Sequence, residues 1–361
     1  MRVVFRVDAS NQIGTGHVVR CLTLAKGLRM RNVECLFLTK EHKGHLLDLI
    51  KKTGFTTLLL SNSLNDYHPT KKDPEHASWL GCEWKKDSDQ ARLLLADISV
   101  DLLIVDHYSI DFRWEKSLRN VARRIMVIDD LSDRVHDCDI LLDQNYYKNQ
   151  KNRYFEKIPH QCITMLGPKY ALLHEKFKSA HKKVKVRKGR AKRIFIFFGG
   201  VDIDKYTLRF VRILQEFRFL NIHVDCIVGS QNPSKDKIVL KCIRYGFDYH
   251  IQTNKISEIM SKSDLAICAG GVITWERICC LLPAIVITTA NNQIAPLKEV
   301  KDLGLIYYLG HNWVNVNKEI RDEVYKAILD VSSSKNIILN KVLDVDGLGV
   351  ERVVSRIIKS E

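Results

Sequence analysis

The chain alternates short apolar runs with helical patterns. Residues 2–8 are apolar and β-branched and read as a buried strand. Residues 18–29 then repeat apolar positions at Val18, Leu22, Ala25 and Leu28, the spacing of one helix face. Residues 33–38 read as strand again. The runs 102–106, 125–129 and 140–143 are short, apolar and each end in aspartate. Continuous apolar strands separated by helical segments predict a parallel sheet covered on both faces. The pattern breaks at 178–193, a polar stretch rich in Lys and Arg that contains Gly189 and no Asp or Glu. It then restarts with a strand at 194–198, Gly199-Gly200, a helix at 205–217, and strands at 222–228, 265–268 and 284–288. Residues 350–358 are amphipathic and predict a closing helix. The fold class expected is therefore α/β, with two similar doubly wound domains and a ligand cleft between them. The boundaries expected are 1–180 for the first domain, 181–192 for a basic linker, 193–340 for the second domain and 341–361 for a C-terminal helix.

Length supports two domains, because 361 residues exceed the usual size of a single core and 45% of them are apolar. No apolar run approaches the ~18 residues a membrane span needs, so no span is expected. Arg6 and Asp8 interrupt the first apolar stretch, so no secretory signal is expected there and the location expected is cytoplasmic. The ten cysteines form no C-x-x-C pair, which suits buried, reduced thiols. The net charge of +15 raises a nucleic-acid reading, but no zinc finger, RNA-recognition motif or basic heptad region accompanies it. The charge equally suits an anionic ligand such as a nucleotide diphosphate. Nothing in the sequence demands more than a monomer.

Three glycine-containing turns carry the candidate chemistry. Gly14-Thr15-Gly16-His17 follows a strand and opens a helix, where free amides favour an anion. Val19 stands where a dinucleotide fingerprint would have its third glycine. His17 at the positive helix end is either a residue that merely caps the turn or a neutral imidazole suited to act as a general base. Phe198-Gly199-Gly200 ends another strand, where an open α/β sheet binds its ligands. Ala269-Gly270-Gly271 opens a helix that holds Thr274, Trp275 and Glu276. Paired glycines there suit a pyrophosphate, and a carboxylate one to two turns further in can accept bonds from both ribose hydroxyls. Asn292 and Gln293 follow the next strand and bring amides to the same rim. Two D-x-D matches, at 137–139 and 202–204, have no arguable metal geometry, and no H-x-x-x-H pair occurs, so no metal and no cofactor are expected. P-loop and nucleophile-elbow motifs are absent.

Taken together, Ile13-Gly14-Thr15-Gly16-His17, Asp106-His107-Tyr108, Asp129-Asp130, the segments 138–145 and 167–173, Phe198-Gly199-Gly200, the Gly-Gly-x-x-Thr-Trp-Glu segment and Asn292-Gln293 resemble one family. It is the UDP-2,4-diacetamido-2,4,6-trideoxy-β-L-altropyranose hydrolases of pseudaminic acid biosynthesis, which serves flagellin glycosylation. The resemblance runs in consistent order to about residue 310. It implies a GT-B-type fold and metal-independent, inverting hydrolysis of the bond between the anomeric carbon and UDP. It also implies His17 as base, Tyr108 as a residue that contacts substrate or orients the base, and Gly270-Gly271, Glu276 and Asn292 as the UDP-holding region. Val272 departs from the small hydroxyl residue common there, and Leu282-Pro283 replaces a Gly-Pro turn.

The mechanism this implies places UDP on the second domain, with the sugar reaching the Gly14–His17 loop of the first. Two rivals stand beside it. One is a glycosyltransferase of the same fold that passes the sugar to an acceptor hydroxyl. The other is a non-catalytic basic protein that binds nucleic acid.

Overall fold

The computed structural model of the chain describes residues 1–62, 67–184, 187–304, 306–311, 318–331 and 343–359. It divides into two compact units. The first comprises Met1–Leu172 with Gly349–Glu361, and the second Leu173–Leu348.

The first unit is built on seven parallel strands: β1 (Arg2–Val7), β2 (Glu34–Lys40), β3 (Thr56–Leu60), β4 (Val100–Asp106), β5 (Ala122–Ile128), β6 (Ile140–Asp143) and β7 (Ile163–Leu166). Their order is β3-β2-β1-β4-β5-β6-β7. Strand alternation sends Val3, Phe5 and Val7 to one face, against Val18, Leu22, Ala25 and Leu28 of the helix Gly16–Arg29. Val4 faces the other layer with Leu38, Leu103, Val105 and Trp114. Both faces are covered, which is why these strands read as unbroken apolar runs. Arg6 interrupts the run yet is fully buried, because it pairs with Asp8 at 2.8 Å and Asp87 at 2.9 Å. A buried guanidinium is tolerated only with such partners.

The C-terminal helix Gly349–Lys359 belongs to this first unit, where Val353, Val354 and Ile357 join the core beneath Gly16–Arg29. Gly27 permits the close approach: a Cβ there would lie 2.5 Å from Val350 Cγ1.

The second unit repeats the design with six parallel strands: β8 (Arg193–Phe197), β9 (His223–Val228), β10 (Asp248–Ile251), β11 (Leu265–Ala269), β12 (Ala284–Thr288) and β13 (Ile306–His311). Their order is β10-β9-β8-β11-β12-β13. Ile194, Ile196 and Phe198 pack on Phe210, Val211 and Leu214 of the helix Tyr206–Glu216. The helix Lys318–Leu329 closes the core with Ile320, Val324 and Ile328.

The division between units falls at 172/173, ahead of the stretch read as a basic linker. Within the second unit Arg187 donates to the carbonyls of Ser263, Cys280, Met260 and Ser261 at 2.6–3.2 Å. His181 Nδ1 meets the Cys279 carbonyl at 2.8 Å. Much of that stretch is thus tied to helix ends rather than standing free, since last-turn carbonyls need donors. Among the described residues no helix is long and apolar enough to cross a membrane.

Candidate functional site

Both sheets reverse their order beside their first strand, between β1 and β4 in one unit and between β8 and β11 in the other. Ligands of open α/β sheets lie outside the carboxyl ends of the strands at such a switch. The sequence-derived candidates fall at these two places.

In the first unit, β1 leads through a turn to the helix Gly16–Arg29, and β4 ends at Asp106. The turn closes with the Gly14 amide on the Ser10 carbonyl at 2.8 Å, and Gly14 has φ +82°. Thr15 takes the N-cap position without a side-chain capping bond, and Gly16 is exposed. His17 is 8% exposed, and its Nδ1 lies 2.6 Å from Asp106 Oδ1. An ionised carboxylate can only accept, so Nδ1 carries a proton, and in the neutral imidazole the lone pair is then on Nε2. Nε2 has no protein partner among the described residues.

Asp106 is fully buried. Burial opposes its charge, but Arg20 and His17 together hold its carboxyl far below the usual carboxylate range. Arg20 lies one turn after His17 on the same helix face. Its Nε and one terminal nitrogen each donate to Asp106 at 2.6 Å, and the other donates to Asp130 Oδ2 at 2.6 Å. The Arg20 nitrogen shared with Asp106 Oδ1 also lies 3.3 Å from His17 Nδ1, a far longer contact than its carboxylate bond.

Tyr108 donates its hydroxyl to the same Asp130 Oδ2 at 2.8 Å, and burial with that carboxylate pushes its ionisation well up. Its ring meets His17 edge to face, with centroids 4.5 Å apart. His76 and Trp79 continue the aromatic surface at 5.5 and 5.8 Å from Tyr108. The residues at the end of β4 thus go three ways: Asp106 bonds His17, Tyr108 bonds Asp130, and His107 Nε2 lies 3.2 Å from Asp8 Oδ2. Burial lowers His107 to about 4, so it stays neutral beside Asp8.

In the second unit, Gly199 and Gly200 follow β8 and Gly270 and Gly271 follow β11, on the two sides of the switch. Gly271 has φ +88° and caps the helix Val272–Cys279. Gly270 is buried against the rim after β12: a Cβ would lie 2.6 Å from Leu297 Cδ1 and 2.9 Å from Gln293 Oε1. Gln293 Oε1 accepts from the Thr289 amide at 3.0 Å, so this amide holds the rim together. Asn292 is half-buried beside it. Thr274 is buried, and its hydroxyl has no partner among the described residues. Glu276 is half-buried and has no cation against it among the described residues; burial pushes its carboxyl up to about 7. A carboxylate so placed is short of donors, which ligand hydroxyls can supply.

The structure thus brings His17 and Tyr108 together in one unit, and Gly270, Gly271 and Gln293 together in the other. Reading the sequence for site residues passed over Arg20 and assigned no role to Asp106 or Asp130. The i,i+3 spacing of His17 and Arg20 and the aspartate that ends the apolar run 102–106 were available as signals, and no such signal marks Asp130.

No protein-family model matches the sequence. The chain is 27% identical over 280 residues to a UDP-2,4-diacetamido-2,4,6-trideoxy-β-L-altropyranose hydrolase of Campylobacter jejuni, covering 77% of this chain and 88% of that protein. It is 22% identical over 317 residues to the spore coat polysaccharide biosynthesis protein SpsG of Bacillus subtilis, covering 86% of this chain and 84% of that protein. Among solved structures it superposes on MurG of Acinetobacter baumannii with a TM-score of 0.63 at 12% identity, over 99% of both chains. The fold is GT-B. The sequence relationship to the hydrolase is distant, while the GT-B architecture extends over the whole chain.

Proposed function

We propose that the protein acts on a UDP-sugar and hydrolyses it by attack of water on the anomeric carbon. The observation that carries this reading is the 2.6 Å bond from Asp106 to His17 Nδ1, which leaves Nε2 as a base with its lone pair free. In the reaction His17 Nε2 takes a proton from water as the water oxygen bonds to the anomeric carbon. The bond from that carbon to the UDP oxygen breaks, and UDP leaves with the electron pair. Asp106 orients the ring and stabilises the imidazolium that forms. A base so positioned contributes about 10²–10⁴-fold in rate.

The second unit holds the nucleotide in this reading. Glu276 accepts the ribose hydroxyls, and the amides at the start of the helix Val272–Cys279 face the pyrophosphate. Gly199, Gly200 and Asn292 complete the rim, and the loop Gly14-Thr15-Gly16 borders the sugar. UDP is a good leaving group, so its departure needs electrostatic stabilisation and the chemistry requires no metal. The distant relationship to the Campylobacter hydrolase supports UDP-2,4-diacetamido-2,4,6-trideoxy-β-L-altropyranose as the substrate, and with it a place in pseudaminic acid biosynthesis.

The GT-B likeness to MurG favours transfer to an acceptor as the second reading. A coupled assay for UDP release, run with EDTA over a panel of UDP-sugars and no acceptor, separates the two. Release at enzymatic rates from a 2,4-diacetamido sugar is expected. Release only after an acceptor alcohol is added would replace hydrolysis by transfer.

A further inference from the structure

Arg20 is 4% exposed and spends its guanidinium on two carboxylates that serve different side chains. Two of its nitrogens grip Asp106, which holds His17; the third grips the Asp130 oxygen that accepts from Tyr108. His17 and Tyr108 are in turn in edge-to-face contact, so the five side chains form a closed ring of interactions. We propose that Arg20 is a positioning residue that locks the imidazole of His17 and the hydroxyl of Tyr108 into one unit. The inference rests on the reading of His17 as the base.

Two physical arguments support it. The first is geometric. Arginine presents a planar fork able to bind one carboxylate bidentately and still reach another, which a lysine ammonium cannot copy. Asp106 alone could rotate about its χ2; two guanidinium bonds at 2.6 Å fix the oxygen that faces His17 Nδ1. Asp130 likewise has one oxygen set by Arg20, while its other accepts from Asn145 Nδ2 at 3.1 Å. The second is electrostatic. Asp106 and Asp130 face one guanidinium, so the ring carries one uncompensated negative charge while the imidazole is neutral. A proton taken up at Nε2 cancels that charge. Of the other charged groups nearby, Arg134, whose guanidinium lies 6.0 Å over the Tyr108 ring, pairs with Asp129 and Asp133, and Arg153, which donates to the Asp130 carbonyl at 3.1 Å, lies 3.6 Å from Asp143. His76, 5.5 Å from the Tyr108 ring, is held below its ordinary value chiefly by burial, which favours its neutral form. The carboxylates of the ring thus already face the imidazolium that hydrolysis creates, without any group moving.

The test is Arg20→Lys in the full chain, read by steady-state kinetics and by the ¹⁵N spectrum of histidine-labelled protein. The wild type should show His17 as a single Nδ1-protonated tautomer. Arg20→Lys should show mixed tautomers and a kcat about 10–100-fold lower, with KM within about threefold. Wild-type kcat would overturn the proposal, as would a lowered kcat with the His17 tautomer unchanged. If Arg20→Lys does not fold, a cycle of Asp130→Asn with Tyr108→Phe decides. Losses that fail to multiply support the shared unit, and independent multiplication overturns it. The spectrum reads the ring without turnover, so a wild type inactive on every UDP-sugar would sink the functional reading and still leave the positioning decided.

Discussion

His17 Nδ1 and Asp106 Oδ1, 2.6 Å apart, join the start of the first helix to the end of β4. Chain order separates them widely, and the strand order β2-β1-β4 brings them to one crevice. The bond fixes the tautomer, so its loss has a specific signature. Asp106→Asn can present an N–H to Nδ1 and drive the proton to Nε2, removing the lone pair that the reaction needs. We expect kcat to fall about 10²–10⁴-fold with little change in KM. His17→Ala should match it, and the double variant should lose little more. Steady-state kinetics of the three variants check this.

Glu276 carries a different prediction, because its cost and its use oppose each other. Its carboxyl is raised to about 7 by burial. The folded chain therefore binds more protons than the unfolded one between the ordinary glutamate range and about pH 7. Stability falls as pH rises through that window. Glu276→Gln should melt higher than the wild type at pH 8, by on the order of 1–2 kcal/mol once its partial exposure is discounted. The same substitution should weaken UDP binding. Calorimetry at pH 6 and pH 8 should show wild-type affinity rising with pH, and the variant weak at both.

The His136 pair gives the same direction with pH in the first unit, but there the charged form is the one the fold stabilises. Burial opposes its charge, but Glu115 at 2.7 Å from Nδ1 and Asp129 beyond raise it to about 9. Its contribution is complete below the ordinary histidine value near 6.5 and is lost as pH rises through about 9. Thermal melts of His136→Gln should be lower than wild type at pH 6, and the gap should close by about pH 10.

Gly270 and Gly271 test the nucleotide rim separately from the base. Gly271→Ala places a side chain at φ +88°, a strain of about 1–2 kcal/mol. Gly270→Ala pushes a Cβ against Gln293 Oε1 and Leu297. Both should weaken UDP affinity at least about tenfold while the ¹⁵N signature of His17 is unchanged.

Central strands and their helices were legible from the sequence, because continuous apolar runs such as 102–106 and 265–268 admit few other readings. The four strands that escaped, β3, β7, β10 and β13, are the edges of the two sheets. β10 is mostly exposed and β3 and β7 are only partly covered, so their residues lack the apolar continuity that marks a buried strand. The C-terminal helix was legible as amphipathic, but what it packs on was not, since partners are set by tertiary contacts. The turns at 14–17, 199–200 and 270–271 were visible because glycine is needed there. Arg20 and Asp130 were not, because a buried arginine and an aspartate look in sequence like any surface pair. Only the strand order reveals that they meet.

The central claim is attack by water at the anomeric carbon with His17 as base. It is tested most directly by incubating the protein with the UDP-linked 2,4-diacetamido sugar in H₂¹⁸O, beside His17→Ala, and weighing both products by mass spectrometry. The account predicts ¹⁸O in the free sugar, unlabelled UDP, and almost no product from the variant. Label in UDP would place the attack at phosphorus and contradict it, as would a variant that turns over at the wild-type rate.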